Sequence, residues 1–422
     1  MPFSETSQDL MSYFFDIYEN YNYDKTKYNQ KQMDIIYKKF YRELLLAKNI
    51  YIKYNKHKIK KSVKEIKTIF DIPRIDLLKS KYIHESISNH IKTKMTALLD
   101  VNFKIGDVTV NCHFGIFSKK NYADLNKYDN YIKKIFIFLT FLFSSMRKPK
   151  PKSISFYLFL TNKKKSIPKN GFSILGPLNC NSGLTYGCQS DGSVFIYREE
   201  EWFKVFIHET FHCLCLDFNS LHCENLNKKF KKNIINVQSK LNLYESYTEY
   251  WSTIIHSCMT AFELSFKQDN KEDTFLLYLD FILHYEKIFS LFQCVKVLDH
   301  MGLTYKNLID KDEISNGLRL LYYKEETNVF SYYIVKAVLL YYKEDFMLWC
   351  KEKNKCAIFN FAKTQENLDL FLFFLREKMV NDRIIKDMDM SMLFLYKLKK
   401  KFTYPRKNSL LKTMRMTIVE NK

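Results

Sequence analysis

Glycine and proline are scarce in this chain of 422 residues and unevenly placed, and their placement constrains the fold more than any other feature. Seven of the nine glycines (Gly106, Gly115, Gly171, Gly176, Gly183, Gly187, Gly192) and four of the seven prolines fall between residues 101 and 198. Both residues punctuate turns and are disfavoured inside helices. A sheet is therefore expected within 101–198, with long helices on either side. Turn residues there separate short β-prone runs at 108–114, 154–160 and 194–197. Residues 135–143 (IFIFLTFLF) read as a helix packed on that sheet. Nine apolar residues cannot cross a bilayer, which takes about 20, so no membrane span is expected.

The flanks repeat apolar residues at helical spacing, at 33–50 and 83–99 and again at 274–292 and 329–349. The expected class is α+β, predominantly helical. Residues 1–100 read as a helical N-terminal extension, broken at Asp71-Ile72-Pro73. Residues 101–265 form the unit with the sheet, and 266–422 a helical C-terminal subdomain closing one side of a cleft. With 36 Phe and 30 Tyr the composition is not that of a disordered chain. The net charge of +21 comes from lysines interleaved with acidic residues. That pattern is a solvated surface, open to weak contact with nucleic acid or acidic partners. The basic stretch 397–422 is expected to be a mobile tail or to touch acidic partners. Ten cysteines show no C-x-x-C spacing, and the first residues lack a basic segment followed by an apolar run. These features predict reduced thiols, Cys180 and Cys188 among them, in a cytoplasmic protein that is not secreted.

Residues 205–216 read VFIHETFHCLCL. On a helix, His208 and His212 leave one face a turn apart. Two neutral imidazoles at that spacing can share one Zn²⁺, with Glu209 beside it as a base. The other positions are uncharged, so the helix is buried and its polar groups need partners. Arg198 and the three glutamates after it are expected to open this helix with acidic residues in its first turn, where the dipole favours them. Residues 217–220 end it.

A catalytic zinc takes a third protein ligand, and three sources compete. Asp217 lies one residue short of the metzincin position and is better placed to cap the helix or support a ligand. Cys213 or Cys215 would give a closed, structural site. In LNLYESYTEYWSTIIHSCM (241–259), Glu245, Glu249, Ser252 and His256 form one polar stripe on an otherwise apolar helix. Glu245 would complete the ligand set, and Glu249 could hold a ligand histidine by its free N–H. His256 is assigned to the same surroundings. Asn181, Ser182, Gly183 and Leu184 lie between turn clusters, where an extended segment could take a peptide substrate as an added strand.

The pair HETFH and ESYTE resembles the gluzincin branch of zinc peptidases, in which H-E-x-x-H is followed by a downstream E-x-x-x-D or E-x-x-x-E helix. The run IYREEEWFKVFIHETFHCLCLDF, with ESYTEYWS and ETNVFSYY, resembles uncharacterised metallopeptidases of giant nucleocytoplasmic DNA viruses over roughly residues 150–345. The resemblance implies a zincin-like catalytic unit. It implies His208, His212 and Glu245 as ligands of one Zn²⁺, Glu209 as base and acid, and Glu249 supporting a ligand. It also implies a polypeptide substrate, the NSGLT segment as edge strand, and residence in host cytoplasm or virion. The second glutamate of ESYTE departs from the commoner aspartate. Gluzincins add a Tyr or His donor for the oxyanion; Tyr247, His256, Tyr332 and Tyr333 are candidates, and Tyr332 is taken. The competing expectation is a non-catalytic virion or interaction protein with a structural or degenerate zinc site, binding nucleic acid through its basic surface.

Overall fold

The computed structural model describes residues 3–15, 17, 27–54, 58–118, 125–146, 150–171, 173–186, 188–189, 191–221, 223–355, 357–401 and 408–421. Six strands form one sheet: β1 (Lys60–Glu65), β2 (Ala97–Ile105), β3 (Val108–Ile116), β4 (Ser153–Thr161), β5 (Gly183–Thr185) and β6 (Asp191–Arg198), in the order β1-β2-β3-β4-β6-β5. Gly106, at φ 58°, turns β2 into its antiparallel neighbour β3. β3, β4 and β6 run parallel, while β1 and β5 pair antiparallel at the two edges. A parallel pair needs a crossover, and α4 (Asn126–Ser145) makes the one from β3 to β4.

Alternation along the strands sends side chains to two cores. Phe156, Leu158, Val194 and Ile196 join the main core, where Phe206 stacks 4.5 Å from Phe156. Leu98, Phe159, Phe195 and Tyr197 point the other way, onto Ile87 and Ile91 of α3 (Glu85–Lys94). Cover on both faces explains why most of the run ISFYLFL is apolar.

The remaining elements are helical, so the molecule is α+β and predominantly helical. Before the sheet come α1 (Glu5–Ser12) and α2 (Lys27–Lys53). After β4 come α5 (Pro177–Cys180), α6 (Trp202–Cys213), α7 (Glu224–Asn233), α8 (Tyr244–Gln268) and α9 (Glu272–His300). Next are α10 (Tyr305–Ile309), α11 (Glu313–Tyr322), a π-helical stretch Phe330–Val335, and α12 (Lys336–Tyr341) to α13 (Lys343–Lys353). The chain closes with α14 (Gln365–Met379), α15 (Asp382–Lys401) and α16 (Ser409–Lys412). Among the described residues no helix is long and apolar enough to cross a membrane.

Three expectations need correction. The segment 1–100 is not wholly helical, because β1 and the start of β2 form the sheet's outer antiparallel edge. Its helices α1 and α2 also share the main core with residues up to Val419, so no core of their own marks an extension. The second correction concerns 408–421, which is not a loose tail. Glu201 accepts the backbone N–H of Met416 (2.7 Å) and Thr417 (2.5 Å), and Glu286 those of Ile418 (3.1 Å) and Val419 (3.2 Å). Two buried carboxylates thus supply the partners a strand would otherwise provide. Residues 402–407 and 422 lie outside the described residues. Third, Cys188 is disulfide-bonded to Cys215, so not every thiol is free. The two meet because the Cys188 N–H also donates to the carbonyl of Cys213 (3.2 Å) at the end of α6.

Candidate metal centre and cleft

Chain direction sets up the centre. β6 ends at Arg198, whose buried guanidinium donates to the carbonyls of Asn181 (2.9 Å), Lys163 (2.9 Å) and Leu178 (2.6 Å). Glu201 then adopts φ 59° and α6 starts at Trp202, so the acidic run precedes the helix instead of filling its first turn. Every residue of α6 is buried, Lys204 included. Beyond its end, Cys215 at φ 55° reverses the chain and returns Asp217 to the side of His212.

α8 packs along α6, and three ligand atoms meet between them. The Nε2 atoms of His208 and His212 lie 3.0 Å apart, and Glu245 Oε2 is 3.1 Å from each. Ligands about 2.0–2.1 Å from a tetrahedral ion would stand roughly 3.3 Å apart, close to this triangle. Both imidazoles are gripped from behind. His208 Nδ1 donates to Glu249 Oε2 (2.8 Å), and His212 Nδ1 donates to Asp217. With a proton on Nδ1, each Nε2 lone pair faces the centre, the arrangement a metal requires. Glu249 is in turn paired with Lys204, and Asp217 accepts from Thr248 Oγ1 (3.2 Å) and the Asn219 N–H (2.8 Å). The second oxygen of Glu245 accepts from Asn328 Nδ2 (2.9 Å), itself held by Asn242 (2.8 Å). This buried His208, His212 and Glu245 group can hold a metal ion.

Charge follows position. Burial opposes ionisation of Glu245, but His212 and His208 hold it down at about 2. Burial likewise works against a charged Glu249, and Lys204 with His208 outweighs it. Burial lowers both histidines, yet the carboxylates around them raise His208 and lift His212 well above the ordinary range. Glu209 differs: burial pushes it up to about 7, against the pull of His208 and His212.

Glu209 lines a cleft of about 140 Å³ with the ligands, and β5 forms the opposite wall. A Cβ on Gly183 would stand 2.8 Å from Glu209 Cγ, so only glycine lets the edge strand approach this closely. Gly183, Leu184 and Thr185 pair with β6 through one edge, and among the described residues no further strand pairs with the other. Asn181 also reaches the cleft, but its side-chain oxygen is engaged by Thr327 Oγ1 (2.7 Å). The Ser182 carbonyl is spent on the Tyr197 N–H (3.0 Å).

No protein family model matches the chain. Part of it is similar to a giant-virus protein. An uncharacterised protein of Acanthamoeba polyphaga mimivirus is 29% identical over 192 residues, 45% of this chain and 44% of that protein. The chain therefore spans under half the length of this relative. No solved structure matches.

The other expected residues divide cleanly. Tyr332, on the π-helical stretch, lines the cleft with its ring 5.9 Å from His208 and its hydroxyl 3.3 Å from Asn328 Nδ2. Tyr247 donates to the Phe359 carbonyl (3.2 Å) and Tyr333 to that of Met414 (2.7 Å), so neither serves the cleft. His256 is corrected: it packs on Phe203 in a different cavity, away from the ligands. Glu249 and Asp217 stand behind the ligands as expected, whereas Cys213 and Cys215 do not enter the triangle. Sequence reasoning missed Lys204, Asn328 and Tyr244, whose ring lies 5.8 Å from His212. Lys204 had a signal: a lysine one turn before His208 in an apolar helix needs a buried anion. Asn328 and Tyr244 had none.

Proposed function

We propose that the protein is a zinc-dependent peptidase of gluzincin type, with a zincin-like unit built from the sheet, α6 and α8. One observation carries the reading: a His, His, Glu triangle opens on a cleft whose far wall is a free sheet edge, with a carboxylate between them. The donor set of two imidazoles and one carboxylate suits zinc at a hydrolytic site. Zinc held there would supply the Lewis acid that acidifies a water and polarises a carbonyl.

The chain does the rest. A peptide laid along Gly183–Thr185 as an added strand has its backbone fixed across the cleft. Glu209, raised towards neutrality, takes the proton of the attacking water and returns it to the leaving amine. Tyr332, and Tyr244 on the His212 side, offer hydroxyls towards the developing oxyanion. Glu249 and Asp217 keep the imidazoles in the metal-binding tautomer.

The test pairs metal analysis with cleavage of a peptide library. Glu209→Gln should lower hydrolysis by about 10² to 10⁴-fold and keep the bound zinc. Undiminished cleavage by this variant would reject the role of Glu209. A zinc-loaded wild type that cleaves nothing would instead support a non-catalytic site.

A further inference from the structure

A larger cavity, about 800 Å³, opens at the other end of the α6–α8 pair and shares no lining residue with the metal cleft. His256, on its floor, comes eleven residues after Glu245, about 16 Å along α8. We propose that this cavity binds a nucleoside phosphate, with lysines from α2, α4 and α8 on the phosphates and His256 among aromatic rings on the base.

Seven cationic side chains line the cavity against four carboxylates. At one end the charges cancel internally, since Arg415 pairs with Glu420 (3.1 Å) and attracts Glu200. At the other end they do not. Glu263, which attracts Lys48, is already engaged by Lys134 (3.6 Å) and the Asn421 amide (2.6 Å), while Lys133 and Lys267 repel Lys48. Lys48 is buried, with its ammonium over the Phe266 ring instead of against a carboxylate. Burial first, and then Lys133, hold it down at about 8. A buried ammonium set among like charges is costly unless an anion joins it.

The second feature is a group of aromatic rings. Tyr131 and Trp202 pack 4.4 Å apart, and Phe203 lies beside Trp202 (5.3 Å) and His256 (6.2 Å). The Nδ1 of His256 is buried without a partner. Such an atom is normally satisfied. Burial together with Lys134 and Lys204 presses this imidazole down to about 3, so it stays neutral. Aromatic faces stack on any base. An adjoining hollow of about 340 Å³ shares Lys127, Tyr131, Asn162 and Glu199 with this cavity. It reaches Gly115 and Leu160 at the carboxyl ends of β3 and β4, where parallel sheets commonly take small ligands.

The test titrates the full chain with ATP, inorganic tripolyphosphate, adenosine and a single-stranded oligonucleotide at fixed ionic strength. Tryptophan fluorescence and equilibrium dialysis report binding. ATP should saturate with a fluorescence change that Trp202→Phe removes, and should bind more tightly than tripolyphosphate or adenosine. Lys133→Glu with Lys267→Glu should weaken ATP by about ten-fold or more with an unchanged melting temperature. His256→Phe should abolish the preference for ATP over tripolyphosphate. Absence of saturable ATP uptake, equal binding of tripolyphosphate, or length-dependent oligonucleotide binding that outcompetes ATP would each overturn the proposal.

Discussion

Each ligand imidazole is held by a carboxylate at Nδ1, so its protonation is set by its neighbours as much as by solvent. Without metal, His208 and His212 have folded pKa values above the ordinary 6.5. Their contribution to stability is therefore complete below about pH 6.5 and is lost as pH rises through the folded values. Glu245, depressed to about 2, contributes above its ordinary 4.5 and loses that contribution as pH falls. Metal competes for the same nitrogens and releases protons. Zinc affinity should rise between about pH 6 and pH 8 while the melting temperature of metal-free protein falls. Calorimetry with and without chelator checks both trends. Asp217→Asn keeps the size of the side chain but removes its charge from behind His212. Zinc affinity should drop by about 10 to 100-fold, as measured by competition with a chromophoric chelator.

At the scale of elements, the cleft exists because β5 and α6 approach closely at Gly183. Gly183→Ala places a methyl 2.8 Å from Glu209 Cγ, so the carboxylate or the edge strand must move. A displacement of about 1 Å at a reacting group can cost about 10²-fold. Cleavage should fall by that order while zinc content and circular dichroism stay unchanged. On the other side of α6, the Lys204 ammonium is buried against Glu249. Lys204→Met strands a buried carboxylate and should destabilise the protein by about 3–5 kcal/mol in denaturant unfolding. The α6 and α8 pattern was legible because buried helices cannot carry a polar stripe without facing partners. The pairing of Cys188 with Cys215 was not, because it follows from where a β5–β6 loop meets the end of α6.

Across the whole molecule, the last described residues are part of the core. The N–H groups of 416–419 donate to one oxygen each of Glu201 and Glu286, and Glu201 directly precedes the helix that bears the metal ligands. Removing residues 408–422 would strip Glu286 of its backbone partners and leave buried Glu201 with Lys165 but without its backbone donors. The truncated chain should lose its cooperative thermal transition and its zinc, with limited proteolysis as the check. The composition of this segment, basic and near a terminus, suggested a free tail. Charge counts carry no information about backbone partners supplied from elsewhere.

The sequence by itself marked where sheet and helix concentrate, since breaker placement and apolar periodicity are local properties, but it did not mark β1 or β2, which lie in stretches read as helical or left unread. It also placed His208 and His212 on one helix face with Glu209 beside them, and Glu245 with Glu249 on another, because helical geometry fixes neighbours four residues apart. Only the tertiary structure decided that Glu245 meets the two imidazoles, that Asn328 and Tyr244 border the cleft, and that His256 belongs to a different cavity. Those are contacts between segments 32 to 83 residues apart in sequence. They are set by how whole faces pack, and no spacing rule along the chain encodes them.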